Sequence, residues 1–338
     1  DSLVTGVQNL FGAKTELQFG KTTVTGIFSQ QRSQSKMVSA QGGSLINEFE
    51  FTASNYDMNR HYFLAHFFMN TYENALVNFP LINSSNNITR LELWVTNRNS
   101  TTQNTRNIVA LADLGENNSA YIGSPAVIPN PGAKDPSNEA NNINNLLTLN
   151  SPIRQIQNVS AALAPYGLQQ GRDYTILENA RKLVQGVDFT FNAQLGFITL
   201  NRRLVDSDVL AVAYEYTDGQ NVYQVGELSG DGIVAPDNLV VKLLQAEIIT
   251  TSIPLWDLMM KNVYEIPGAF QLQEPNFRLE VMYNDDATGV PVNILQNAKT
   301  PSVQNKTLLN VLRLDRLDQN DNVLEKGDGF FDYIENIT

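Results

Sequence analysis

Phe11-Gly12-Ala13-Lys14-Thr15-Glu16-Leu17-Gln18-Phe19-Gly20-Lys21-Thr22-Thr23-Val24-Thr25-Gly26-Ile27-Phe28-Ser29-Gln30-Gln31 is the stretch from which the fold is read. Phe11, Ala13, Thr15, Leu17 and Phe19 occupy one parity; Gly12, Lys14, Glu16 and Gln18 occupy the other. Side chains of a strand point alternately to opposite faces, so this alternation predicts a strand with one apolar and one polar face. Gly20-Lys21 supplies a tight turn, and a second strand runs through Thr22–Gln31 with Val24, Gly26 and Phe28 set against Thr23, Thr25 and Ser29. Two strands of about ten residues joined by a short turn fit a hairpin of a membrane β-barrel. An ordinary soluble hairpin has the same pattern, so both readings stand at this point.

Downstream, Ser54 or Asn55 can cap a helix running to about Asn78, where Pro80 ends it, with Phe63, Leu64, Phe67, Phe68, Tyr72, Ala75 and Leu76 as its apolar stripe. Ile88–Asn97 alternates as a strand, and the polar residues 98–107 read as a loop. Pro125–Asn150, rich in Asn, Pro and Gly, is the candidate linker or mobile excursion. Ser151-Pro152 opens a helix carrying Ile153, Ile156, Val159 and Leu163. Between Gly171 and Asp218 the runs Tyr174–Leu177, Phe189–Phe191, Phe197–Leu200 and Val209–Thr217 predict an antiparallel meander. Leu239–Ile249 reads as a strand or short helix, Leu255–Val263 as a short helix and Phe277–Tyr283 as a strand. Arg-Leu-Glu recurs at 90–92 and 278–280, a hint of two related modules. The expected class is α+β: mainly antiparallel β modules with a few packed helices.

The 338 residues carry a net charge of −12, which argues against nucleic acid and anionic lipid as partners, since both need clustered Lys and Arg. With 42% hydrophobic residues the chain can bury a real core, and its length allows one large or two smaller domains. There is no cysteine, which excludes disulfides, thiolate metal sites and a Cys nucleophile. No apolar run reaches the length of a transmembrane helix. Asp1-Ser2-Leu3-Val4 lacks the features of a signal peptide, and the chain starts in mid-pattern and stops at Ile337-Thr338, as expected of a portion of something longer.

Chemical constellations are missing. No phosphate loop, dinucleotide fingerprint or nucleophile elbow occurs. The two histidines, His61 and His66, are five residues apart, about 500° around a helix, and do not share a zinc-binding face. The densest acidic cluster is Asp315, Asp318, Asn320, Asp321, Asn322, Glu325, Asp328 and Asp332. Placed on a calcium-loop template from Asp318, it puts Val323 where the turn needs Gly and Gly329 where a bidentate acid belongs. A solvated acidic turn fits better, with calcium only as a structural ion. No catalytic, cofactor or metal residue is assigned, and the chain is not expected to be an enzyme.

Longer words carry a resemblance. Leu3-Val4-Thr5-Gly6-Val7-Gln8-Asn9-Leu10-Phe11-Gly12, Asn59-Arg60-His61-Tyr62-Phe63-Leu64 and Leu93-Trp94-Val95-Thr96-Asn97-Arg98 are three of them. Asn107–Glu116, Val209–Thr217, Trp256–Asn262 and Leu312–Leu317 complete the set, collinear over nearly the whole chain. Together they resemble the SprA/Sov family, the very large outer-membrane translocon of the type IX secretion and gliding-motility machinery. The resemblance implies one internal, N-terminal-half portion of a giant barrel protein that passes folded cargo across the outer membrane. It also implies secreted cargo, a plug protein and a PorV-like shuttle barrel as partners, and no catalytic residue to carry over.

The resulting expectation is a soluble insertion attached to an outer-membrane barrel: 1–36 a β-hairpin of barrel strands, 37–124 an α+β module, 125–150 a linker or mobile loop, and 151–338 a helix plus β-meander module. Barrels keep short turns on the periplasmic side, so a periplasmic Gly20-Lys21 turn sends the chain after about Lys36 to the cell surface. An extracellular cap over the pore follows. The alternatives are a periplasmic cargo- or partner-binding domain, a free-standing surface adhesin or glycan-binding module, and a carboxylate hydrolase.

Overall fold

The computed structural model describes the backbone of residues 10–19, 22–31, 39–41, 44–46 and 147–148, and residues 49–99, 102–146, 152–266, 277–286, 288–296, 298–324 and 327–334 with their side chains. It forms two compact units. One comprises Asp1–Asn55 with Ile266–Ala269, and the other Tyr56–Glu265 with Phe270–Thr338.

In the first unit, β1 (Leu10–Phe19) and β2 (Thr22–Gln31) pair antiparallel without a break, from Phe19 opposite Thr22 to Leu10 opposite Gln31. This is the hairpin that the alternation predicts. A second antiparallel pair joins β3 (Ser39–Gln41) to β4 (Ser44–Ile46). Asn55 spends its side chain on the Thr52 amide at 2.9 Å, closing a turn rather than capping a helix.

The second unit is mostly β. In chain order it contains β5 (His61–Phe63), α1 (His66–Ala75), β6 (Asn87–Val95), β7 (Thr105–Leu111), α2 (Asn144–Thr148) and α3 (Val159–Leu163). Then come β8 (Tyr174–Lys182), β9 (Phe189–Asn192), β10 (Phe197–Leu200), β11 (Leu210–Thr217), β12 (Val222–Val225), β13 (Leu239–Gln245), β14 (Tyr283–Asn284), β15 (Pro291–Val292) and α4 (Leu308–Val311). The main sheet runs β12-β11-β13-β7-β8-β6, and β6 pairs again with β11. Five strands therefore close into a small barrel-like sheet with β12 appended, and closure leaves the ring no free edge. β13 lies parallel to β7; the other neighbours are antiparallel. A three-stranded sheet, β5-β10-β9, stands apart from the ring. β13 is buried at every position, and β11 from Leu210 to Tyr214. Burial on both faces explains the unbroken apolar run Leu239-Val240-Val241, where a half-exposed strand would alternate.

Tertiary pairing overrides several expectations from local pattern. The long aromatic helix is confined to α1, because His61–Phe63 bond to β10 and Ala65 is extended, with φ −157° and ψ 162°. The expected meander splits: β8 and β11 join the ring, whereas β9 and β10 build the other sheet. The expected helix after Ser151 is a series of single turns, Pro152–Arg154, Ile156–Asn158, α3 and Ala164–Tyr166, that still buries Ile153, Val159 and Leu163. Pro254–Leu258 is a 3-10 turn. Within Phe277–Tyr283 only Tyr283 is in a strand, so the two Arg-Leu-Glu triplets do not share a setting. The Asn- and Pro-rich stretch read as a linker buries Val127, Ala140, Ile143 and Leu146. Its Asn141 donates to Asp113 O and Glu116 O, both at 2.7 Å, so an asparagine here serves as buried glue.

One turn motif occurs twice. Leu168-Gln169-Gln170-Gly171-Arg172-Asp173-Tyr174-Thr175 and Leu183-Val184-Gln185-Gly186-Val187-Asp188-Phe189-Thr190 share Leu, Gln, Gly, Asp and Thr at the same spacing, with an aromatic residue before the Thr. In each, the Asp side chain accepts the amide four residues earlier, at 2.8 Å from Gln169 and 2.9 Å from Val184. In each, the Gly amide donates to the carbonyl three residues later at 2.8 Å, with φ near +80°. These two turns launch β8 and β9. Among the described residues no helix is long and apolar enough to cross a membrane.

Candidate functional site

A cavity of about 230 Å³ opens beside the N-terminus of α1, lined by His66, Asp113, Tyr121, Arg172, Asp173 and Pro254 among others. The turn after β7 supplies Asp113, the first of the two repeated turns supplies Arg172 and Asp173, and α1 supplies His66. The His66 and Tyr121 rings stack with centroids 4.3 Å apart and planes 6° from parallel. Tyr121 Oη donates to Asn70 Oδ1 at 2.9 Å, which fixes that ring over the helix.

The polar groups of this cavity are committed to the fold. Asp113 accepts the amides of Gly123 and Ser124 at 3.0 and 2.9 Å. Burial raises its carboxyl above the ordinary value, against the pull of those two bonds. Asp173 is held by Arg172 through two bonds of 2.7 and 2.9 Å and by the Gln169 amide. The Pro254 carbonyl can only accept, so His66 Nε2 carries the hydrogen that bridges them at 2.9 Å.

Behind His66 lies a fully buried charge. Lys242, on β13, is fully buried and donates to Ala112 O at 3.2 Å, Leu114 O at 3.0 Å and Glu116 Oε1 at 2.7 Å. Three acceptors match the three hydrogens of an ammonium, which is how a buried charge becomes tolerable. Burial alone would raise the Glu116 carboxyl; the charge of Lys242 and the proximity of His66 outweigh it and hold Glu116 well below the usual carboxylate range. Glu116 Oε1 also lies 3.0 Å from His66 Nδ1 and accepts the His66 amide at 3.3 Å. One carboxylate thus neutralises a strand lysine and caps a helix whose N-cap residue, Ala65, has no side chain to do so. Gly115 makes the turn possible: its φ is +79°, and an added Cβ would stand 2.8 Å from Val225.

The other sequence candidates are placed apart. His61 sits in β5 with Nε2 3.1 Å from Asp57 Oδ2 and Nδ1 3.0 Å from Thr199 Oγ1. Burial lowers its pKa, against the raising effect of Asp57. His61 and His66 therefore belong to two separate polar networks. In the acidic cluster, Asp315 accepts the amides of Asp328 and Gly329, Asp318 those of Asn320 and Asn322, and Asp332 those of Arg316 and Leu317. These acids organise loops. Among the described residues no group of three or more His, Cys, Asp or Glu side chains is placed to hold a metal ion.

Lys242 had a signal in the sequence: a lone charge inside Leu239-Val240-Val241-Lys242-Leu243-Leu244 demands a buried partner. That the partner is Glu116 was not legible, because the two residues lie 126 positions apart.

A family model described as motility related/secretion protein, SprA_N, matches residues 4–203, more than half of the chain. The chain belongs to this family. A search among curated proteins finds no match. The matched span includes β1 to β10, Glu116 and both repeated turns, whereas Lys242 lies beyond it. Association with secretion and motility is thus the established level of function for this SprA_N-family chain.

Proposed function

We propose that this chain is a non-enzymatic portion of an outer-membrane translocon that serves protein secretion and gliding motility, with the part after about Lys36 forming an extracellular cap over the pore. The family match over residues 4–203 carries the secretion and motility reading. The commitment of Asp113, Asp173 and Glu116 to backbone amides and to the cations of Arg172 and Lys242 supports a scaffold rather than a catalyst. The alternation in β1 and β2 supports assigning that hairpin to a barrel wall, and short turns on the periplasmic side then place the following chain outside. On this reading secreted cargo, a shuttle barrel and a plug protein are its partners.

The exposed residues 219–221, between β11 and β12, are the place to insert an epitope. Antibody labelling of intact cells is the expected outcome, with secretion retained. Labelling only after permeabilisation would overturn the cap and favour a periplasmic cargo-binding domain.

A further inference from the structure

We propose that residues 307–324 and 327–332 make a preformed lobe that docks on the C-terminal end of α1 through one latch, Arg316, and that this latch opens while the ring stays folded. The end of α1 needs such a partner. The last carbonyls of a helix have no donor within it and carry the negative end of its dipole. The last turn of α1 holds no basic residue of its own. Arg316, 240 positions after Leu76, donates Nη1 to Leu76 O at 3.0 Å and Nη2 to Val77 O. The neighbouring pair, Arg313 Nη1 with Glu73 Oε2 at 3.6 Å, is exposed on both sides and holds little by itself.

The lobe keeps its shape with its own groups. Arg316 donates its backbone amide to Asp332 Oδ2 at 2.7 Å and accepts the Leu324 amide at 2.7 Å. Its main chain therefore belongs to the lobe, while its side chain reaches α1. Asp332 also accepts the Leu317 amide at 3.1 Å, and Asp315 accepts those of Asp328 and Gly329 at 2.9 and 3.1 Å. Thr307 caps α4 by accepting the Asn310 amide at 3.2 Å. Leu309 and Leu317 are buried, yet neither belongs to the contiguous core that the ring shares with α1. A unit with its own anchors and its own small core opens as one piece, at a lower cost than the ring.

The two ends of α1 show which one can let go. At the N-terminal end Glu116 is buried together with Lys242. At the C-terminal end Arg316 meets the exposed Val77, where water can compete for the carbonyl.

The test uses the full chain, whose lack of cysteine allows two unique spin labels, at Leu81→Cys on the body and Val323→Cys on the lobe, both exposed positions. Arg316→Met should shift the distance between the labels to a longer, broader distribution. Hydrogen exchange should quicken about tenfold at the Leu76, Val77 and Phe79 amides, as expected for one lost charge-assisted bond. The Leu317, Leu324, Asp328 and Gly329 amides should stay protected, and β11 and β13 unchanged. A distance that does not move would overturn the latch. Lost protection throughout the lobe would overturn its being preformed. Failure of Arg316→Met to fold would overturn the proposal as well, because the ring would then depend on the contact.

Discussion

Two acid-rich regions of the second unit solve the same problem in different ways. Around Glu116 the carboxylate faces a buried cation brought from a distant strand, Lys242 at 2.7 Å. Around Asp315 the carboxylates turn to their own neighbourhood, and Asp315, Asp318 and Asp332 each accept two backbone amides from nearby loops. The first arrangement ties β13, the turn after β7 and α1 into one network, so removing a member should disturb the whole ring. The second fixes local loop shape, so its loss should stay local.

Lys242→Met gives the largest expected effect. It leaves the Glu116 carboxylate buried without its cation, and loss of one partner of a buried pair costs about 3–5 kcal/mol. Denaturant unfolding should show the loss across the whole second unit. A drop below about 1 kcal/mol would mean that the ring does not depend on the pair.

Asp315→Ala comes next, at about 1–3 kcal/mol, because the Asp328 and Gly329 amides lose the buried carboxylate that accepts them. Hydrogen exchange should rise in residues 309–332 and remain unchanged in β11 and β13. Exchange that rises equally in the ring strands would erase the contrast between the two regions.

Asp135→Asn tests the buried region through pH. Burial, and then the negative charge of Glu116, raise the Asp135 carboxyl from 3.8 to about 6. The folded state therefore favours the protonated acid, and this contribution is complete below pH 3.8 and lost as pH rises toward 6. The asparagine variant should melt higher than the unsubstituted chain at pH 8 and within error of it at pH 4. An equal shift at both pH values would reject a titrating Asp135.

Asp318→Ala should have the smallest effect. Its loop is exposed, and water can replace the carboxylate at the Asn320 and Asn322 amides. Melting is expected to move by no more than the error of the measurement, with or without added calcium. A calcium-dependent shift that disappears in this variant would make the loop an ion site after all.

Legibility followed the range of the interactions. The β1–β2 register could be read from alternation because side-chain period and turn length fix a hairpin within some twenty residues. The strands at 174, 189, 197 and 210 could be placed for the same reason, although their partners could not. Aromatic spacing at 63, 64, 67, 68 and 72 predicts a helix that would include Phe63 and Leu64; pairing of His61–Phe63 with β10 outweighs that local pattern. The cluster at 315–332 drew attention because its acids are adjacent in sequence. Glu116 drew none, because its partners come from other segments.

The sequence by itself determined the mainly β character, the first hairpin, the absence of thiol chemistry and the words that resemble the family later matched over residues 4–203. Only the tertiary structure decided that β11 returns to β6 to close the ring, and that the Asn-rich stretch 125–146 sends Val127, Ile143 and Leu146 into the core. It also decided that Lys242, Glu116 and His66 meet. The physical reason is range: periodicity and turn chemistry act between neighbours, whereas ring closure and charge pairing depend on segments more than a hundred residues apart sharing one low-dielectric interior.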